Sequence, residues 1–221
     1  MRKIIITGAN GFLGKYLSQW FLNQGWEVVG LSRSGGVIAG AKAVRWDGRS
    51  MDDWAPELSG AEVLINLAGK SVNCRYGEKN KAAIFQSRLE STEVLGEAIR
   101  ACEDPPRLWL NSSTATIYRH AEDRPQDEEN GELGKGFSVK VAKAWEKALR
   151  DSEVPEGVTK VAIRPAIVLA NEPGTVYDYL KKIASLGLGG KMGSGRQKMS
   201  WIHIEDLCRS LAWLERRPNW F

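Results

Sequence analysis

Three glycines at positions 8, 11 and 14 follow directly on a short β-branched run. Ile4-Ile5-Ile6 leads through Thr7 into Gly8-Ala9-Asn10-Gly11-Phe12-Leu13-Gly14. The run reads as a buried parallel strand, and the segment from Phe12 to Gln24 reads as a helix. Each glycine between them has its own task. Gly8 permits a tight turn, Gly11 lets a pyrophosphate approach the backbone, and Gly14 lets the helix pack close to the sheet. The helix start offers free N–H groups and the positive end of its dipole to phosphate. Gly25 stands where a C′ glycine ends the helix. Spaced glycines also make ordinary turns. With strand, fingerprint and helix in register, the expected chemistry is dinucleotide binding, with Gly8, Asn10, Gly11, Phe12 and Leu13 around the pyrophosphate.

The spacing Gly-x-x-Gly-x-x-Gly resembles that of extended short-chain dehydrogenase/reductases. That resemblance directs attention to the end of the second strand, Glu27 to Leu31, where an acidic residue would bind the ribose 2′-hydroxyl of NAD. Here the chain has Ser32-Arg33-Ser34 and no carboxylate. Arg33 can pair with a 2′-phosphate through forked, charge-assisted hydrogen bonds; the alternative is a solvated loop arginine. NADP(H) is the expected cofactor.

Strand and helix patterns alternate along the rest of the chain. They predict an α/β fold: a doubly wound, Rossmann-type parallel sheet with helices on both faces. Strands are expected near 3–6, 27–31, 43–46, 62–67, 108–112 and 159–164, and helices near 12–24, 78–102, 137–150, 175–186 and 205–216. Ser50 is expected to cap a short helix before the fourth strand, and 119–136 to form an exposed loop. Residues 1–170 make the nucleotide-binding domain; 171–221 make part of a substrate-side region packed on it.

In such a sheet the ligand lies at the carboxyl ends of the strands. Asp47, after the third strand, either accepts from an adenine amino group or closes a turn. Leu67-Ala68-Gly69 ends the fourth strand with small residues against which a ribose can lie. After the fifth come Ser112-Ser113-Thr114-Ala115-Thr116, hydroxyls placed either to meet cofactor and substrate, Ser112 the former and Thr114 the latter, or merely to form a turn. Pro165-Ala166-Ile167-Val168, after the sixth, presents backbone to a nicotinamide carboxamide.

Composition narrows the classes. The 221 residues are 43 % apolar and 26 % charged, enough for one good-sized α/β domain. The net charge of +4 is spread over interspersed residues, with no basic block of the kind that marks a nucleic-acid surface. Cys74, Cys102 and Cys208 are far apart and odd in number, which argues against a disulfide framework or zinc site and for a reducing compartment. Met1-Arg2-Lys3 before the isoleucines starts like a signal peptide, but the apolar run is too short, and no stretch is long enough for a bilayer. A cytoplasmic protein is expected, taking a small-molecule substrate and neither nucleic acid nor membrane; a homodimer is left open.

Further stretches carry a fuller resemblance. They are Leu67-Ala68-Gly69, Ser87 to Thr92, Phe137 to Glu146, Leu186-Gly187-Leu188-Gly189-Gly190, Gly193-Ser194-Gly195 and Trp201 to Leu207. Together they look most like the epimerase-like subgroup of the extended short-chain dehydrogenase/reductases, labelled nucleoside-diphosphate-sugar epimerases. The resemblance implies a catalytic hydroxyl at Thr114 and a Tyr-x-x-x-Lys pair, but the matching positions hold Ser138 and Ala142. An unactivated serine is too weak an acid to replace that tyrosine. Lys140 and Lys143 are each turned by about 100° or more from the lysine position on a helix.

Other candidates carry paired readings. Tyr76 is a proton donor or a packing aromatic; Arg88 binds a substrate carboxylate or phosphate, or is a solvated helix-face residue. His203 shuttles protons or is structural; Trp145 and Trp201 belong to core or pocket. Gly187 to Gly195 folds over a substrate phosphate or is a plain glycine loop. The functional expectation is an NADP(H)-binding oxidoreductase or epimerase-like protein acting on a small polar or nucleotide-linked carbonyl or alcohol. The alternative is a non-catalytic NADP(H)-binding sensor or partner-binding protein. The early end at Pro218 to Phe221 suggests a short gene product or a fragment.

Overall fold

The structure is a computed structural model that describes residues 1–36, 39–191 and 193–217. Met192 and Pro218 to Phe221, which enter two of the expectations above, lie outside the described residues. Six parallel strands form the main sheet: β1 (Lys3–Thr7), β2 (Glu27–Ser32), β3 (Lys42–Arg45), β4 (Val63–Asn66), β5 (Leu108–Ser112) and β6 (Thr159–Ile163). Their spatial order is β3-β2-β1-β4-β5-β6, so the winding reverses between β1 and β4. That reversal opens a crevice at the carboxyl edge of the sheet.

The isoleucine run shows how the layers arise. Side chains alternate across a strand, so Ile4 and Ile6 join one apolar cluster and Ile5 joins the other. The first cluster packs under α1 (Phe12–Asn23) and α5 (Ile204–Glu215), through Leu17, Phe21, Leu207 and Leu211. The second packs under α2 (Glu78–Ala101) and α3 (Phe137–Asp151), through Val94, Leu95, Ile99 and Leu149. Each such side chain contributes roughly 1.5–3 kcal/mol when fully buried. The doubly wound sheet with helices on both faces is therefore present.

Helix α1 buries Gly14, Leu17, Ser18 and Phe21, one stripe at helical spacing. It stops at Gly25, whose φ of 78° is the left-handed conformation that favours glycine. Gly25 N–H donates to Leu22 at 3.0 Å and Trp26 N–H to Phe21 at 3.1 Å, while the rings of Phe21 and Trp26 meet edge-on at 5.3 Å.

Three expectations need correction. Ser50 caps no helix: a 3₁₀ turn at Ala55–Leu58 begins at Trp54, and the Ser50 carbonyl instead accepts the indole N–H groups of Trp46 and Trp54. Two strands were not foreseen, β7 (Ile167–Leu169) and β8 (Trp201–His203), which pair in parallel as a separate small sheet. Trp201, expected in core or pocket, is 58 % exposed, because alternation along β8 turns Ile202 toward the core and Trp201 away from it. The loop after Tyr118 is exposed as expected and is tied by Arg119 to Asp123 and Glu132.

Residues beyond 170 divide. Helix α5 buries Ile204, Leu207, Cys208 and Leu211 in the main core, whereas α4 (Val176–Ser185) buries nothing. No helix among the described residues is long and apolar enough to cross a membrane.

Candidate functional site at the switch point

The crevice is a cleft with two adjoining lobes of about 590 and 580 Å³, which share Gly8, Gly11, Leu67, Ala68, Gly69 and Lys70. Its floor is the turn from β1 into α1. Gly8 has φ 62°, and a Cβ there would meet the Leu67 carbonyl oxygen at 2.9 Å. At Gly14 a Cβ would lie 2.4 Å from the Gly8 oxygen, so the close packing that glycine permits is against the turn itself. Gly11 differs: an added Cβ meets only the Gly8 oxygen, at 3.1 Å, and otherwise faces the cleft. No side chain caps α1 and no acidic residue occupies its first turn, which leaves the Phe12 and Leu13 N–H groups free among the described residues. Such an end favours an anion.

Polar side chains set the rim. The Asn10 carboxamide meets Ser32 Oγ at 2.9 Å and Ser34 Oγ at 2.7 Å, joining the glycine turn to the loop after β2. Arg33, on that loop, is exposed, lines the second lobe and has no partner among the described residues. Asp47 lines the same lobe and closes a turn. Its carboxylate accepts the N–H groups of Arg49 at 2.8 Å and Ser50 at 2.9 Å and the Ser50 hydroxyl at 2.9 Å. Burial works against its charge, but these bonds hold its pKa below the ordinary value.

Leu67, Ala68 and Gly69 are placed by a buried chain of polar groups that the sequence reading did not recognise. Thr7 Oγ1 donates to Asn66 Oδ1 at 2.7 Å and accepts the N–H groups of Leu67 and Ala68 at 3.0 and 3.1 Å. Asn66 Nδ2 donates to Asn111 Oδ1 at 2.7 Å, which links the ends of β4 and β5. The signal was available: Asn66 and Asn111 are polar groups at the ends of otherwise apolar strands, and buried polar groups there need partners.

The first lobe takes Ser112, Thr114, Pro165, Ala166 and Val168. Ile167 does not line it: strand alternation in β7 sends it opposite Ala166 and Val168, and it is 38 % exposed. Thr114 Oγ1 lies 3.0 Å from the Thr116 hydroxyl and accepts the Thr116 N–H at 3.2 Å. Beneath them Glu146 is nearly buried. It accepts Ser113 Oγ at 2.7 Å and two bonds from Arg164 at 2.8 Å, while Arg164 also donates to Tyr118 Oη at 2.7 Å. Burial raises the Glu146 pKa, and the Arg164 and Ser113 bonds more than reverse that, leaving it lowered.

Ser138 and Ala142 both line the first lobe, while Lys140 and Lys143 are exposed and outside it. Tyr76 lines the lobe edge-on to Phe137 at 5.6 Å. His203 does not reach the cleft; its Nδ1 accepts the Glu205 N–H at 3.4 Å and caps α5, while Asp206 occupies that helix's first turn. The described residues of Gly187 to Gly195 are exposed and line neither lobe.

Sheet order and cleft together define a Rossmann-type α/β protein with its site at the switch point. The model for the NAD dependent epimerase/dehydratase family matches residues 4–219, and the chain belongs to that family. An epimerase family protein of Staphylococcus saprophyticus is 32 % identical, over 96 % of this chain and 70 % of its own length. The human epimerase family protein SDR39U1 is 31 % identical, over 95 % and 69 %. A crystal structure of human SDR39U1 with NADPH aligns at TM-score 0.83 and 29 % identity, covering 98 % of this chain and 71 % of that one. The nucleoside-diphosphate sugar epimerase from Corynebacterium glutamicum aligns at 0.74 and 29 %, covering 96 % and 43 %.

Proposed function

We propose that the cleft binds NADP(H) and that the protein is an oxidoreductase or epimerase-like enzyme acting on a small polar or nucleotide-linked carbonyl or alcohol. The observation that carries this reading is Arg33: a guanidinium without a partner among the described residues, just after β2 and beside the glycine turn, with no carboxylate at the position that would select NAD. The NADPH bound by human SDR39U1 supports it. The residues present fit the cofactor. Phe12 and Leu13 N–H groups would hold the pyrophosphate, Arg33 the 2′-phosphate, and Leu67 to Gly69 the ribose. Ser112, Pro165, Ala166 and Val168 would bound the nicotinamide, with Thr114 orienting the substrate oxygen. When bound, NADP(H) supplies the hydride donor or acceptor. Fluorescence titration of the protein with NADPH and NADH tests the assignment; tighter NADPH is expected, and equal affinities contradict it.

A second reading, a sensor that binds NADP(H) without turnover, is favoured by Ser138 and Ala142 standing in the lobe in place of tyrosine and lysine. Substrate-dependent change in nicotinamide absorbance separates the two.

A further inference from the structure

Arg88 lines the same lobe as Thr114. Its half-buried side chain makes no ion pair with any described residue. Nη1 donates to the carbonyl oxygens of Lys70 at 3.1 Å and Ile84 at 3.0 Å, while Nε and Nη2 have no acceptor among the described residues. The guanidinium carbon lies 5.0 Å from the centre of the Trp145 ring. That ring is fixed in turn by its indole N–H, which donates to Thr92 Oγ1 at 2.9 Å. The arginine is thus preset on two carbonyls and an aromatic face, with part of its fork free. Burying a cation without a counter-charge is costly, and burial pushes the Arg88 pKa down. The lobe holds a second cation, Lys70, and no Asp or Glu among its lining residues. A planar fork laid on an aromatic ring recognises an oxyanion through paired N–H···O bonds.

We propose that Arg88 binds an oxyanion carried by the substrate itself, carboxylate or phosphate, which narrows the substrate class to small oxo or hydroxy compounds bearing an acid group. This rests on the NADP(H) reading of the cleft. That reading places the cofactor's phosphates at Phe12, Leu13 and Arg33, and leaves Arg88 for the substrate.

The test uses protein saturated with NADPH, whose fluorescence reports cofactor occupancy. Inorganic phosphate and, separately, succinate are titrated in by calorimetry. At least one should bind the parent, and which one does identifies the acid group. Arg88→Gln should weaken that binding about tenfold or more, with Arg88→Lys in between. NADPH affinity should stay within about threefold in both variants. The proposal is overturned if neither anion binds the parent, or if binding survives Arg88→Gln in a folded variant. It is also overturned if both variants lose NADPH, since the guanidinium then serves the cofactor. If the parent itself fails to bind NADPH, the cofactor reading fails separately. The anions are then titrated into cofactor-free protein, where dependence on Arg88 still decides.

Discussion

At the scale of single residues, the three glycines of the turn differ in what a side chain would meet. At Gly14 and Gly8 it would strike backbone at 2.4 and 2.9 Å, so substitution there disturbs the fold before it disturbs binding. Gly11 has an ordinary φ of −74° and opens on the cleft, so Gly11→Val should fold, with a capping loss of up to about 1 kcal/mol, and should abolish NADPH binding. Retained affinity in that variant would show that the glycine serves packing alone. The hydroxyl–tyrosine–lysine set is also a residue question. Because Ser138 and Ala142 both face the lobe with Thr114, Ser138→Tyr combined with Ala142→Lys should raise any latent carbonyl reduction by about 10²–10⁴-fold. Thr114→Val should remove that gain; a rate indifferent to Thr114 would require another acid, with Tyr76 the next residue to replace.

At the scale of elements, the strands and helices of the nucleotide-binding half were legible because their patterns are unambiguous. Ile4-Ile5-Ile6 is a doubly buried strand, and Gly25 ends α1 where a C′ glycine should. The three-residue strands β7 and β8 were not legible, since so short a segment shows no period; this is also why Ile167 was assigned to the cleft when its neighbours line it and it does not. Nor could spacing reveal that Glu146 on α3 meets Arg164 after β6, a pairing made by the packing of the two elements. That pair yields a pH prediction. The folded pKa of Glu146 lies below its ordinary 4.5, so its stabilisation is present above about pH 4.5 and is lost as pH falls through the folded value. Glu146→Gln should cost about 3 kcal/mol at neutral pH and flatten the acid limb of a stability–pH curve. An unchanged acid limb in urea melts from pH 3 to 7 would show that other carboxylates dominate it.

At the scale of the whole molecule, α5 is sewn to the amino-terminal edge of the sheet. Glu215, almost fully buried, accepts from Arg2 and, at 2.6 Å, from Arg107, whose chain position just precedes β5. Glu215→Ala leaves two arginines that are about two-fifths exposed and can recover water, so the loss should be about 2 kcal/mol. A thermal melt should fall by roughly 4–8 °C; an unchanged midpoint would mean that the apolar contacts of Leu207 and Leu211 alone hold the helix. The opposite, carboxyl edge carries the cleft, and the central proposal is that this cleft selects NADP(H) through Arg33. The direct measurement is the ratio of NADH to NADPH dissociation constants in the parent and in Arg33→Ala. Loss of a charged hydrogen bond costs about 1.5–3 kcal/mol, so the parent should favour NADPH and the variant should lose roughly tenfold or more of that preference, with NADH affinity nearly unmoved. A ratio near one in the parent, or a ratio that survives Arg33→Ala, would contradict the account.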